Sequence, residues 1–404
     1  MKILQINATY GIGSTGVVTK ELVGVCKQNG LDVYVAYSKG FGNSIEGSNF
    51  YEIGSWIDHK IHAIMSRIAG KQAYFSHFAT IRLLRFIDKV KPDIVHLHNL
   101  HSNYININIL LSYLGKNNIK TVVTLHDCWF FTGGCFHYTS VKCNKWQLHC
   151  GNCIKQKRDT PALLCDASST ILQDRVNYFS KIKYLTFVGV SSWVAEQLKQ
   201  SRLKDIGAIS YIHNGFDLDI YYPQKSNIRD RLGLKDKFII LGPASKWLLP
   251  INTDTFSYFV KNMPKDTVLL LFGCDRNPVV SYPNVQFYGF INNRTEMAEL
   301  YSSADVLVNC SREDTLSSIN IEAQACGTPV ITFNATGSGE TVDNKCGFAV
   351  ETGNHEILFS KMMEIYFNKK SYYTSMCHEF VAENFEKASN YNKYIELYKT
   401  ILND

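Results

Sequence analysis

The sequence predicts an α/β protein with two doubly wound, parallel-sheet domains. Three observations lead there. Short apolar, β-branched runs alternate with helix-periodic stretches almost from end to end, the pattern of strands covered on both faces by helices. The alternation breaks once, between Asn214 and Lys237, and then restarts. A length of 404 residues exceeds one ordinary core and accommodates two or three.

In order, Lys2–Asn7, Leu31–Tyr37, Asp93–His98, Lys120–Leu125, Leu185–Val190 and Ile209–His213 read as buried parallel strands. Helices are expected over Gly16–Asn29, Ser76–Val90, Asn106–Asn117 and Ser192–Gln200. The second series has strands at Phe238–Leu241, Val268–Phe272, Val285–Tyr288, Val306–Asn309 and Pro329–Thr332. Its helices fall around Asp254–Lys261, Arg294–Ser302, Ile319–Cys326 and His355–Phe367. The expected organisation is a Rossmann-like domain over 1–215 with a cysteine-rich insertion at 128–153, a linker over 216–235 and a second Rossmann-like domain over 236–385. A terminal helix over 386–404 is expected to pack back on the first domain.

Composition narrows the class. With 45% hydrophobic and 19% charged residues the chain is an ordinary globular protein, neither disordered nor fibrous. A net charge of +6 suits anionic ligands or an acidic membrane surface and falls short of a nucleic-acid footprint. The strand-like start Met1-Lys2-Ile3-Leu4-Gln5-Ile6 carries no signal core, and no run reaches the roughly 18 apolar residues of a membrane span, so a cytoplasmic protein is expected. Peripheral contact with anionic membrane stays open. Arg82, Arg85, Lys89 and Lys91 punctuate an apolar stretch beside the aromatic segment Trp56–Phe78, which reads equally as a core helix with a basic outer face.

Four motifs carry chemistry. Gly11-Ile12-Gly13-Ser14-Thr15-Gly16 follows a strand and opens a helix, so its backbone N–H groups can approach a phosphate or form a plain tight turn. A dehydrogenase would need an acid ending the second strand; Tyr37-Ser38-Lys39 stands there instead. The strand end Thr124-Leu125-His126-Asp127 puts a His-Asp pair where doubly wound sheets bind ligands, unless His126 is a packed core residue. Cys135, Cys143, Cys150 and Cys153 include one C-x-x-C pair and suit either a structural zinc or free thiols; the remaining cysteines read mostly as small buried hydrophobes. The fourth motif is the run from Asn309 to Val330. Here a strand end, the acidic loop Ser311-Arg312-Glu313-Asp314-Thr315-Leu316, the helix entry Ser317-Ser318 and Glu322 offer carboxylates to hydroxyl groups and donors to a phosphate.

This run resembles the family-4 glycosyltransferases, retaining enzymes of the GT-B fold, in the branch of bacterial capsule, exopolysaccharide and lipopolysaccharide assembly. Their signature is an acid, seven residues, then Glu beside C-G-T-P-V; Asp314, Glu322 and Cys326-Gly327-Thr328-Pro329-Val330 reproduce it. The resemblance implies two domains facing across a cleft, the first for the acceptor and the second for the nucleotide-sugar donor. It implies that Glu322 binds the ribose, that Glu313, Asp314, Leu316, Ser317 and Ser318 line the donor, and that Gly13 and Ser14 meet its phosphates. His126 resembles the histidine near the transferred sugar, Asn214 belongs to an N-G-x-D element, and Phe290-Ile291 resembles the loop that reads the base. Ser14 replaces a second glycine, and Asp314 stands where Glu is commoner.

One departure bears on turnover. The family places Arg, four residues, then Lys after the first strand of the second domain, as a clamp on the diphosphate; here Lys246 and Ile251 occupy those positions. Losing a cation at the leaving group costs a few kcal/mol of transition-state binding, and Arg276 or Arg312 are the candidates to replace it. The resulting reading is a retaining glycosyltransferase that moves a sugar from a UDP- or GDP-linked donor to a glycan or lipid-linked acceptor. Neither nucleic acid nor a catalytic metal is expected to take part. Its rivals are a non-catalytic nucleotide-sugar-binding subunit and a nucleotide-sugar epimerase.

Overall fold

The computed structural model describes all residues except 41–46, 158, 160, 161, 275–281 and 404. They form two compact units, Met1–Asn214 with Ala388–Asp404, and Gly215–Lys387. The first runs β1 (Lys2–Tyr10), α1 (Gly13–Gln28), β2 (Asp32–Gly40), β3 (Phe50–Glu52), α2 (Trp56–Ala69), α3 (His77–Val90), β4 (Ile94–Leu97), α4 (Ile107–Lys116) and β5 (Lys120–Leu125). After the cysteine-bearing segment come α5 (Ser168–Phe179), β6 (Leu185–Gly189), α6 (Ser192–Lys199) and β7 (Ala208–Tyr211). Among the described residues these strands make one seven-stranded sheet in the order β3-β2-β1-β4-β5-β6-β7, parallel throughout. Every residue of β4 and β6 is buried, which is why both read as unbroken apolar runs rather than alternating ones.

The second unit runs α7 (Ile228–Arg231), β8 (Phe238–Pro243), α8 (Ala244–Trp247), α9 (Thr253–Asn262), β9 (Thr267–Phe272), β10 (Val285–Tyr288), α10 (Arg294–Ser303), β11 (Val306–Asn309), α11 (Ser318–Ala325), β12 (Val330–Phe333), β13 (Gly347–Val350), α12 (His355–Asn368) and α13 (Lys370–Phe385). Its parallel sheet has the order β10-β9-β8-β11-β12-β13, six strands among the described residues. Residues 216–235 belong to this unit. Arg229 fastens them through Nη2 to Asp305 Oδ2 at 2.6 Å and Nε to the Ser303 carbonyl at 2.8 Å.

The last helix, α14 (Lys387–Asn403), buries Tyr391, Tyr394, Ile395 and Tyr398 in the core of the first unit beside Leu22, Val33 and Val35. Each sheet reverses its winding direction once, between β1 and β4 in the first and between β8 and β11 in the second. Loops diverge at such switch points and open a crevice beyond the strand ends, where doubly wound proteins bind ligands.

Candidate active site

At the second switch point, β8 ends against α8 and β11 ends against the acidic loop. Gly242 permits this, since a Cβ there would lie 2.1 Å from Trp247 Nε1. The indole crosses the strand end and donates to the Val308 carbonyl at 2.9 Å, tying β8 to β11. Buried Asn252 extends the tie, because Nδ2 donates to the carbonyls of Lys246 (3.0 Å) and Cys310 (2.9 Å) while Oδ1 accepts from Arg312 Nε at 2.8 Å. Arg312 Nη2 donates to the carbonyl of Ile251 at 3.0 Å. A guanidinium therefore stands beside the position where the family has lysine, and the Ile251 side chain is 53% exposed. Both Lys246 and Arg312 draw down the Cys310 thiol, although burial dominates and pushes it up to about 12. Arg276, the other candidate cation, lies outside the described residues.

A buried amide and hydroxyl network holds the carboxylates of this end. Asn309 Nδ2 donates to Ser317 Oγ (3.0 Å) and Asn320 Oδ1 (2.9 Å), and its Oδ1 accepts from the Ser311 amide at 3.1 Å. Ser317 is fully buried and its Oγ accepts within this scaffold; Leu316 is buried too, whereas Ser318 is half-buried. The turn after β12 grips the main chain of Asp314: its amide donates to Thr336 Oγ1 (2.8 Å) and its carbonyl accepts from the Gly337 amide (2.9 Å). Glu313, Asp314 and Glu322 are all half-buried, so they keep access to water or a ligand. Tyr301, itself buried, donates to Glu322 Oε2 at 3.0 Å and orients that carboxylate. Phe290 and Ile291 follow β10, with Phe290 largely exposed.

The first switch point carries neutral groups. Gly13 takes a left-handed φ of +64° at the start of α1, and both Gly13 and Ser14 are exposed. The third glycine of the motif has a packing reason: a Cβ on Gly16 would sit 2.8 Å from Thr9 Oγ1, so only glycine lets α1 lie this close to β1. Beside this loop runs a chain of buried imidazoles. Gln5 Nε2 donates to Tyr398 Oη at 3.2 Å, leaving Gln5 Oε1 to accept from His98 Nε2 at 2.7 Å. His98 Nδ1 must then accept, and His126 Nε2 donates to it at 3.0 Å, which leaves Nδ1 as the acceptor nitrogen of His126. His96 bonds Tyr398 Oη (2.6 Å) and Thr124 Oγ1 (2.7 Å), so neither it nor His98 is arranged for a metal. Burial pushes His126 down to about 4 and His96 and His98 well below their ordinary value, so all three are neutral at pH 7. Asp127 Oδ2 lies 3.1 Å from His101 Nε2, and Asn214 is half-buried at the end of the unit.

Cys135, Cys143, Cys150 and Cys153 line one cavity of about 30 Å³. Cys135 donates its thiol hydrogen bond to Cys153, which draws Cys153 down to about 7 and pushes Cys135 up; Cys150 packs its Cβ 2.9 Å from where a Gly133 Cβ would be. Among the described residues no group of three or more His, Cys, Asp or Glu is arranged to hold a metal ion.

Two parallel Rossmann-like units, with polar clusters at both switch points, define a protein of the GT-B glycosyltransferase class. Residues 15–220 match the family description Glycosyltransferase Family 4, and residues 282–383 match Glycosyl transferases group 1. The chain belongs to glycosyltransferase family 4 and is a glycosyl-transferring enzyme. It is 25% identical over 369 residues to WcaC of Escherichia coli (strain K12), described as a glycosyl transferase of colanic acid biosynthesis, covering 87% of each chain. Among solved structures, sucrose-phosphate synthase from Thermosynechococcus elongatus superposes with a TM-score of 0.69 at 17% identity, over 99% of this chain and 98% of that one. HepE of Anabaena in complex with UDP-glucose gives 0.65 at 14%, over 99% and 100%. At such identities these two structures speak for the fold alone.

Proposed function

We propose that the enzyme transfers a sugar, with retention, from a UDP- or GDP-linked donor to a glycan or lipid-linked acceptor in bacterial surface-polysaccharide assembly. One observation carries the donor half: two cations, Lys246 and Arg312, and the Tyr301-oriented Glu322 flank the same sheet switch point. In this reading Lys246 and Arg312 stabilise the departing diphosphate, Glu322 accepts from the ribose hydroxyls, and Glu313 and Asp314 accept from the donor sugar. Phe290 and Ile291 meet the base, Leu316 and Ser318 border the donor, and Gly13 and Ser14 meet its phosphates. Neutral His126 offers an acceptor nitrogen to a sugar hydroxyl, and Asn214 stands where the chain leaves the first unit. The bond from the anomeric carbon to the diphosphate oxygen breaks, the acceptor oxygen bonds that carbon on the same face, and the acceptor proton passes to the diphosphate oxygen. No protein nucleophile takes part. Positioning and charge stabilisation supply the rate, without a divalent cation.

The pathway reading is supported by WcaC, described in colanic acid biosynthesis, and the donor class by HepE, solved with UDP-glucose. Its place is the cytoplasmic side, where nucleotide sugars are at hand; among the described residues no helix is long and apolar enough to cross a membrane. A panel of UDP- and GDP-sugars, assayed for transfer or hydrolysis beside calorimetric binding, tests the proposal. Turnover with at least one donor is expected. Binding without turnover, unchanged in Ile251→Lys, would instead mark a nucleotide-sugar-binding subunit.

A further inference from the structure

Arg175 is buried without a hydrogen-bond partner. It points inward from α5 and is 1% exposed, yet Nε, Nη1 and Nη2 meet no acceptor among the described residues. A guanidinium carries five N–H donors and no acceptor, and a buried charge is costly unless it is bonded and neutralised. One face is covered by the Trp129 indole, whose ring centroid lies 3.5 Å from Cζ, with the Phe130 ring at 5.9 Å. Stacking satisfies the face of the group but none of its N–H bonds, which radiate in the guanidinium plane. Burial draws the group down to about 10 while Tyr74, Asp174 and Asp127 pull the other way, so it stays charged at pH 7.

The two acids that act on Arg175 are committed elsewhere. Asp174 Oδ2 accepts from Tyr74 Oη at 3.0 Å. Asp127 Oδ1 accepts from the Trp129 amide at 2.8 Å, and its Oδ2 lies 3.1 Å from His101 Nε2. Burial raises the Asp127 carboxyl, but His101, the Trp129 amide and His137 outweigh it and hold the group below its ordinary value. Other groups thus meet the charge of Asp127, and that of Arg175 has no bonded counter-ion among the described residues. A desolvated planar fork, capped on one face, matches a pair of oxygens on one carboxylate or phosphate. We propose that the first unit binds a small oxyanion, phosphate or a carboxylate, in the plane of the Arg175 guanidinium beside Asp127. The way in passes Asp127 and His101, whose side chains are 15% and 19% exposed. Once bound, the anion fastens α5, through the Trp129 stack, to the β5 end that carries His126. The site stands on the first unit alone and holds whichever donor and acceptor the enzyme uses.

Thermal unfolding of the full chain in sodium phosphate, sodium acetate and sodium chloride at matched ionic strength tests it. The wild-type midpoint is expected to rise by about 2–5 °C in phosphate or acetate over chloride, as for any ligand that binds only the folded state. The oxyanion that acts at the lower concentration identifies the preferred group. The rise survives in Arg312→Ala, which weakens phosphate binding at the second unit, and disappears in Arg175→Met, which keeps an unbranched stem. Arg175→Lys, a cation without the fork, needs about tenfold more anion for the same rise. Equilibrium dialysis of Arg312→Ala against radiolabelled phosphate finds about one group per chain, displaced by acetate and not by chloride, a result that does not depend on the folding of Arg175→Met. The proposal is overturned if chloride acts as well as the oxyanions, if the rise vanishes in Arg312→Ala, or if either Arg175 variant responds like wild type. It is also overturned if neither oxyanion raises the wild-type midpoint and no phosphate is retained, since water then completes the guanidinium.

Discussion

The two sheets are wound alike but end in opposite chemistry. At the β8/β11 switch point the chain gathers charged groups, Lys246, Arg312, Glu313, Asp314 and Glu322, each half-buried and therefore still solvated. At the β1/β4 switch point it gathers His96, His98 and His126, held neutral by burial and joined through Gln5 to Tyr398 of α14. In the proposed function the two ends divide the reaction: a diphosphate is met by charge at the edge of water, and sugar hydroxyls by neutral groups of fixed tautomer. At the second end the Arg312 guanidinium stands beside the exposed Ile251.

The largest expected effect falls on the neutral end. His62 and His126 titrate near 4 in the fold, against an ordinary value of 6.5, and His96 and His98 lie well below it. Between those limits the unfolded chain binds more protons than the native one, so stability is complete above pH 6.5 and falls as pH drops toward 4. His62 and His126 each account for on the order of 3 kcal/mol at the acid end, and the lowered His96 and His98 act in the same direction. Denaturant melts at pH 7 and pH 5 check this; an unchanged midpoint contradicts the buried neutral relay.

At the charged end, Glu322→Gln keeps shape and removes charge, so kcat/KM falls about 10–100-fold with little change in thermal midpoint. Arg312→Ala falls by about tenfold or more, whereas Ile251→Lys changes kcat/KM less than about threefold, because the site already holds a guanidinium there. A large gain in Ile251→Lys would show that Arg312 does not substitute. The smallest effect is that of Tyr398→Phe, which strands Gln5 Nε2 and His96 Nδ1 and costs about 1–3 kcal/mol of stability. Thermal unfolding measures it.

Much of this was legible in the residues. Strands β4, β6, β8 and β11 are buried at every position, so their apolar runs stand out, and the spacing of Asp314 and Glu322 pointed to the second-unit site. Strands β3 and β13 are as short but partly exposed, so neither leaves an unbroken apolar run. Helix α2 escaped because its apolar stripe faces outward, leaving no core partner to give the segment its meaning. The supports of the site were hidden for another reason. Tyr301 reaches Glu322 across 21 residues, Asn252 reaches Arg312 across 60, and Gln5 reaches Tyr398 across 393, contacts that only the sheet order creates. The cysteine spacing suited a zinc centre or free thiols alike, and it could not show the packing of Cys150 against Gly133 or the Cys135–Cys153 pair.

In the proposed function the β8/β11 end holds the nucleotide diphosphate. Calorimetric titration of UDP and GDP into wild type, Glu322→Gln and His126→Ala tests it most directly. One nucleotide is expected to bind wild type, with Glu322→Gln weakening it by about tenfold or more and His126→Ala leaving it within about twofold. Equal affinity in Glu322→Gln, or a loss confined to His126→Ala, would place the nucleotide at the wrong sheet and contradict it.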